Sequence, residues 1–82
     1  MVIVNQDQDM IINFNNILYI RLNDAYDDKP GQVVNARDKS GGIHTLGFYK
    51  DEKRAEEILM NLATVIANAA DLKQLYFLMP KE

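Results

Sequence analysis

The strongest periodic signal in the chain lies in residues 51–73, "DEKRAEEILMNLATVIANAADLK". This stretch is charged at six of its first seven positions, and it then carries no charge from Ile58 to Ala70. Asp51 suits a helix N-cap, because its carboxylate can accept from the first free N–H groups of a helix. Apolar residues then recur at the spacing of one helix face: Ala55, Ile58, Leu59, Leu62, Ile66 and Ala69. The stretch predicts a long helix that lies on a sheet.

A second apolar stripe on this helix predicts a partner. Met60, Ala63, Ala67 and Ala70 follow one another at spacings of 3, 4 and 3, roughly 120° away from the core stripe. We call these four residues the helix seam. A helix on a sheet needs only one apolar stripe, so the seam predicts contact with a second helix. The alternative is that Ala and Met are good helix formers that a free surface tolerates.

Short strands precede the helix, at residues 2–4, 10–14, 17–22, 32–38 and 43–50, because β-branched and apolar residues there alternate between turn signals. The alternation puts Leu18, Ile20 and Leu22 on one face. Pro30-Gly31 is typical of a type II turn, and Gly41-Gly42 of a hairpin loop. The pattern predicts an α+β fold of one domain, residues 1–82. It is a small antiparallel meander of about five strands, packed by one long helix and followed by a C-terminal strand or extended tail.

The C-terminal segment "LYFLM", residues 75–79, is apolar on both faces. A strand with one solvated face should alternate, and a bare apolar edge strand aggregates, so we expect this segment to be covered by the same domain or by a second subunit. The predicted interface between subunits therefore consists of Met60, Ala63, Ala67, Ala70, Leu75 and Phe77.

Composition restricts the function classes. The chain has 82 residues with no cysteine, which excludes disulfides and thiolate metal sites. A domain this small has marginal stability, and oligomerisation is one way to increase it. Its net charge of −3 gives no electrostatic footprint for nucleic acid. The start of the chain lacks the features of a signal peptide, and no stretch suits a membrane span, so we expect a cytoplasmic protein without membrane contact.

The residue types that carry catalysis do not form a recognisable set. The only histidine, His44, has no nucleophile motif or metal-ligand set with it, so it is interpreted as a strand-end histidine beside a hairpin loop. Asn5, Asp7 and Asp9 resemble the start of a calcium loop, but Met10 and Asn16 stand where that loop needs Gly and an acid. We predict no catalytic residue, no cofactor and no metal.

An acidic loop is the other candidate contact surface. Asp24, Asp27 and Asp28 cluster around Tyr26. Three acids in a loop are usually solvated charges, and the alternatives are a hard cation or a basic partner protein. We predict that any function of this loop is contact with a partner.

The chain also resembles a group of short uncharacterised proteins of Gram-positive bacteria and their phages. "VNQDQDMIINFNNI" and "LGFYKDEKRAEEIL" carry the resemblance, at Gln6, Asp7, Asn13, Phe14, Ile17, Leu46, Gly47, Tyr49, Arg54, Ala55 and Ile58. It covers both ends of the chain but not the middle loop. It implies a β-meander capped by a helix and an origin near mobile elements, and it implies no catalytic residues.

Two function hypotheses follow. The first is a non-enzymatic interaction or regulatory protein that forms a homo-oligomer, an accessory of a phage or mobile element that modulates a host protein. The second is a small anionic-ligand binder with a pocket between subunits. Arg and Tyr are common in such pockets, so the candidate contacts are Arg21, Arg37, Tyr49 and Arg54.

Overall fold

The computed structural model describes residues 1–25, 30–72 and 76–82, and at 69–72 it describes the backbone alone. The elements are β1 (Val2–Val4), β2 (Ile11–Asn13), a 3₁₀ turn (Phe14–Asn16), β3 (Ile17–Asp24), β4 (Gln32–Asp38), β5 (Ile43–Tyr49), α1 (Glu52–Leu72) and β6 (Tyr76–Leu78). The mixed α+β class, the long helix and the C-terminal strand are therefore confirmed.

The strands form two sheets instead of one meander. The first sheet has the order β2-β1-β6, and the second has the order β3-β4-β5. All pairs are antiparallel except β1 with β6, which run in parallel with Ile3 opposite Phe77. A parallel pair needs a long crossover, and here the rest of the chain, α1 included, forms that connection.

The 3₁₀ turn explains why the first sheet ends at β2. Asn13 accepts a hydrogen bond from Asn15 N at 3.0 Å through its side chain, which turns the chain immediately after β2. Strand β3 then starts a second sheet and pairs with β4. The side chain of Asn13 is the local cause, because Asn side chains favour such turns over a continued strand.

Helix α1 begins where the sequence predicts. Lys53 N donates to Asp51 Oδ1 at 3.0 Å, so Asp51 caps the helix. Its core face buries Ala55, Ile58 and Leu62, and Leu59 and Ile66 are half-buried beside them. The helix packs on β3, β4 and β5, and inward residues of both sheets, such as Ile3, Val34 and Leu46, complete the core. Among the described residues, no helix is long and apolar enough to cross a membrane.

A bulge in β3 makes the inward face of this strand differ from the face that alternation predicts. The pairing with β4 shifts by one residue between Ile17 and Tyr19, so Leu18 is the extra residue of this bulge. Ile17 is therefore buried and Leu18 is 63% exposed, although alternation had placed Leu18 beside Ile20 and Leu22. One extra residue changes which side chains face the core.

The turn before β4 requires glycine at position 31. Gly31 has a φ of +121°, and a Cβ there would lie 2.5 Å from the backbone oxygen of Tyr49. The left-handed backbone agrees with the predicted role of Pro30-Gly31. The close approach to β5 adds a second, steric requirement.

Candidate functional site

An apolar groove runs between α1 and β3. It has a volume of about 350 Å³ and is lined by Phe14, Ile17, Leu18, Tyr19, Ile20, Leu59, Met60, Leu62, Ala63 and Ile66. We call it the α1–β3 groove. None of these lining side chains is charged. Exposed contiguous apolar surface is one of the features that mark interaction sites. The predicted seam forms part of its helical wall.

The rim of the α1–β3 groove is exposed to solvent. Met60 on the helical wall is 64% exposed and Leu18 on the strand wall is 63% exposed. Ala63 and Ala67 of the helix seam are exposed as well. The described part of the seam thus faces away from the core, as the sequence predicts. The structure also adds Phe14 and Leu18, which periodicity did not identify because one lies in a 3₁₀ turn and the other at a bulge.

The outer face of the first sheet is also apolar. Strand alternation turns Val2, Val4, Ile11, Tyr76 and Leu78 away from the core, and Ile11 is 69% exposed. Phe77, predicted at the interface, is half-buried and packs against the core. Tyr76 and Leu78 are therefore the outward positions of β6. Leu75 and the side chain of Ala70 lie outside the described residues.

A second concavity lies below the C-terminal tail. It has a volume of about 740 Å³ and is lined by Gln6, Phe48, Tyr49, Lys50, Asp51, Arg54, Lys81 and Glu82. We call it the C-terminal cleft. Two of the four candidate ligand contacts, Tyr49 and Arg54, meet there within one chain, whereas the sequence had suggested a pocket between subunits.

Three side chains of the C-terminal cleft bind the backbone of the tail. Tyr49 Oη donates to the oxygen of Pro80 at 2.6 Å, Gln6 Nε2 donates to that of Lys81 at 2.7 Å, and Arg54 Nε donates to that of Glu82 at 2.9 Å. Arg54 also forms an ion pair with Glu57. Burial raises the pKa of the Tyr49 phenol to about 12, and the nearby Arg54 charge opposes that rise. Because Tyr49, Gln6 and Arg54 bind the backbone of the tail, fewer of their polar groups are free to bind a ligand.

The other two candidate ligand contacts lie elsewhere. Arg21 on β3 stands opposite Asn35 in the second sheet. Arg37 on β4 stands opposite Tyr19, and its guanidinium lies near the hairpin loop at Gly41. Neither lines the C-terminal cleft. Within one chain, therefore, Arg21 and Arg37 lie apart from Tyr49 and Arg54.

His44 has a partner that the sequence did not reveal. Its Nε2 lies 2.7 Å from Asp38 Oδ2, at the end of the β4–β5 hairpin. Asp38 Oδ1 accepts from the backbone N–H groups of Ser40 and Gly42, both at 2.9 Å. The hydrogen bond from His44, followed by that from Gly42, lowers the pKa of the Asp38 carboxyl. The arrangement closes a hairpin loop, and it orients His44 without bringing a nucleophile's side chain to it among the described residues.

The two acidic motifs of the sequence, at residues 5–9 and 24–28, form hydrogen bonds within the fold at the positions that the structure describes. Asn5 is buried and accepts from Asp9 N and Met10 N, both at 3.0 Å, so it holds the β1–β2 loop together. Asp24 accepts from Gln32 Nε2 at 2.7 Å. Tyr26, Asp27 and Asp28 lie outside the described residues. Over residues 1–25, 30–72 and 76–82, no three acidic or histidine side chains form a group that would hold a metal ion.

Comparisons with protein-family models, with curated proteins and with solved structures give no match to this chain.

Proposed function

We propose that the protein is a non-enzymatic interaction protein that self-associates through the α1–β3 groove and the helix seam. The observation that carries the proposal is the uncharged lining of the groove, with Leu18 and Met60 both exposed at its rim. Two copies of an uncharged concave surface can meet about a two-fold axis without bringing like charges together. A small domain also gains stability from such a contact.

Self-association is tested by sedimentation velocity over a concentration series from about 1 μM to 1 mM, the range that covers weak to moderate dimers. We expect the sedimentation coefficient to rise with concentration toward that of a dimer. An association through apolar surface persists in high salt, whereas one through surface charges weakens. A monomer throughout the series would contradict the proposal, and a dimer that salt dissociates would place the contact outside the groove.

The biological part of the proposal is that the oligomer modulates a host protein as an accessory of a phage or mobile element. The resemblance to small proteins of Gram-positive bacteria and their phages supports it. The test is retrieval from a Gram-positive lysate with the bead-bound protein. A host protein retained in stoichiometric amount is the expected result, and retention of only a small molecule would contradict it.

The second candidate function, the binding of a small anion, has one observation in its favour. Lys50 and Lys81 both line the C-terminal cleft, and within the described residues neither takes part in a salt bridge. We rank it below self-association because the tail occupies Tyr49 and Arg54. Its test is calorimetry with pyrophosphate on the wild type, on Lys50→Glu and on Lys53→Glu, which makes the same charge change outside the lining. Binding that only Lys50→Glu abolishes is the expected result, and equal loss in both variants would indicate general charge attraction.

A further inference from the structure

We infer that the second sheet binds an extended acidic segment of a partner protein, through Arg21 and Arg37 on the side of the sheet that points away from α1. We call this side the outer sheet face, and the residues of it that matter here are Arg21, Asn23, Asn35, Arg37 and Thr45. The inference rests on the proposal that the protein is an interaction protein, and it names the chemistry of the partner. It does not depend on self-association, because α1 and its seam lie on the opposite side of the sheet.

Strand pairing defines the outer sheet face. Val34 and Ala36 of β4 belong to the core that α1 covers, so the alternate residues Asn35 and Arg37 point to the other side. Arg21 stands directly opposite Asn35 in the pairing of β3 with β4. It therefore lies on the same face, and Arg37 is its diagonal neighbour. Diagonal neighbours in an antiparallel pair are about 7–8 Å apart, so the two arginines form one site.

The charges on the outer sheet face have one sign. Arg21 and Arg37 are the only charged side chains that β3, β4 and β5 direct to this side, although the protein has a net charge of −3. The two salt bridges of the described residues lie elsewhere, so neither arginine is paired within them. Like charges on neighbouring strands repel each other, and a bound anion removes that repulsion. The charge of the surface therefore indicates an acidic occupant.

A row of hydrogen-bonded polar side chains crosses the outer sheet face. Asn35 Nδ2 donates to Asn23 Oδ1 at 3.0 Å, and Asn35 Oδ1 accepts from Thr45 Oγ1 at 2.8 Å. The row joins all three strands of the sheet, and Asn35 is only 6% exposed. An apolar partner would remove water from these groups without replacing its hydrogen bonds. The row therefore favours a polar segment over an apolar one.

The separation of the two arginines matches the spacing of side chains on an extended chain. Alternate residues of a strand point to the same side and lie about 6.4–6.8 Å apart, close to the distance expected between Arg21 and Arg37. A segment with carboxylates at positions i and i+2 can therefore place one carboxylate at each guanidinium. Arginine binds carboxylates through two parallel hydrogen bonds. The Arg37 guanidinium lies toward Gly41, so the segment would run from β3 across β4 toward the hairpin loop.

The same charges disfavour two other occupants. Two copies that met through the outer sheet face about a two-fold axis would bring their Arg21 and Arg37 side chains together, with no carboxylate from these strands between them. Nucleic acid binding depends on contacts to several phosphates, whereas this face offers two arginines on a protein of net charge −3. An acidic protein segment is the occupant that this surface fits best.

The test is a titration of the full-length, nitrogen-15-labelled protein with two synthetic peptides of equal charge, followed by NMR chemical shifts. One peptide, Gly-Glu-Thr-Glu-Gly, has its glutamates at i and i+2. The other, Gly-Thr-Glu-Glu-Gly, has them adjacent, so that they point to opposite sides of an extended chain. We expect the first peptide to bind at millimolar concentration and to shift the amide signals around Arg21 and Arg37, and the second to bind at least about twofold more weakly.

Substitutions identify the contact. Arg21→Gln and Arg37→Gln should each raise the Kd of the first peptide about two- to fivefold, the effect of losing one exposed charge pair. Lys53→Gln is the matched control, since it removes the same charge from an exposed position on α1. We expect it to change that Kd by less than about 1.5-fold. Circular dichroism checks that each variant folds.

The outcomes separate this inference from self-association. No binding of the first peptide up to about 10 mM would overturn the inference. Equal binding of both peptides, or an equal loss in Lys53→Gln, would overturn it in favour of general charge attraction. Tighter binding of an oligothymidylate or of inorganic phosphate at the same signals would overturn the acidic segment as the occupant. Sedimentation of the same samples reports self-association: a monomer that binds the first peptide would overturn only the self-association, and a dimer that does not bind it would overturn only this inference.

Discussion

The side-chain amide of Gln6 forms two hydrogen bonds with the backbone of Phe48. Gln6 Oε1 accepts from Phe48 N at 2.7 Å, and Gln6 Nε2 donates to the Phe48 oxygen at 2.9 Å. The backbone N of Gln6 also donates to the oxygen of Leu46 at 2.7 Å. Gln6 therefore binds the outer edge of β5 as a neighbouring strand would, and it joins the β1–β2 loop of the first sheet to the second sheet.

Gln6→Ala is expected to lower the free energy of unfolding by about 1–3 kcal/mol, because it leaves the N–H and oxygen of Phe48 without their partner at a partly buried position. Urea denaturation measures the change. Gln32→Ala is the control, since the hydrogen bond of its side chain to Asp24 is exposed to solvent. We expect the control to change stability by less than about 0.5 kcal/mol. Equal effects of the two variants would mean that Gln6 does not join the sheets.

Tyr49→Phe removes the hydrogen bond to the Pro80 oxygen and is expected to cost about 0.5–1.5 kcal/mol at neutral pH. Burial raises the pKa of Tyr49 from its ordinary 10.0 to about 12. Because the folded phenol keeps its proton more strongly than the unfolded one, this contribution is present below pH 10.0 and is lost as the pH rises toward about 12. Wild type and variant should therefore converge in stability over that interval. A constant difference from neutral pH to pH 12 would show that Tyr49 is not buried as described.

His44→Ala is expected to leave self-association unchanged, because His44 lies outside the groove. The same change removes the main cause that lowers the Asp38 pKa, so that pKa should rise toward its ordinary 3.8. The contribution of a lowered carboxyl pKa is present above 3.8 and is lost as the pH falls through the folded value. A carbon-13 titration of the Asp38 carboxyl measures the shift. An unchanged Asp38 pKa, or loss of dimerisation in a folded variant, would contradict the assignment of His44 to the hairpin.

Local patterns predicted the elements well. The 3.6-residue period identified α1 and its buried positions Ile58 and Leu62, and Asp51 identified its start. The paired Gly41-Gly42 identified the β4–β5 hairpin, in which Gly41 has a φ of +98°. These features depend on near neighbours in the chain, which periodicity and turn chemistry describe directly.

Long-range pairing could not be predicted in the same way. The parallel pairing of β1 with β6 depends on contacts between the two ends of the chain, and no local pattern specifies them. The bulge at Leu18 depends on how β3 pairs with β4, which no local pattern specifies. The exposure of Leu18 was therefore not predicted, and neither was its place on the rim of the α1–β3 groove. The partner of His44 was missed because Asp38 lies on the preceding strand, across a hairpin.

The substitution Ala67→Glu tests self-association through the helix seam most directly. Ala67 is exposed in a single copy, so the variant should fold with a change of less than about 0.5 kcal/mol in stability. In an assembly packed on the seam, the same change buries an unpaired carboxylate at a cost of several kcal/mol. Ile58→Ala is the fold control, because Ile58 is completely buried and its truncation should cost about 2–5 kcal/mol in either case. Ile66 is less suitable, since it is half-buried and also lines the groove.

The decisive measurement is the light-scattering mass of wild type and Ala67→Glu as a function of concentration. We expect wild type to reach the mass of a dimer, and Ala67→Glu to keep the mass of a folded monomer at the same concentrations. A wild type that remains monomeric throughout would contradict self-association itself. A dimer that Ala67→Glu leaves intact would contradict contact through the seam. The apolar outer face of the first sheet would then be the next surface to test.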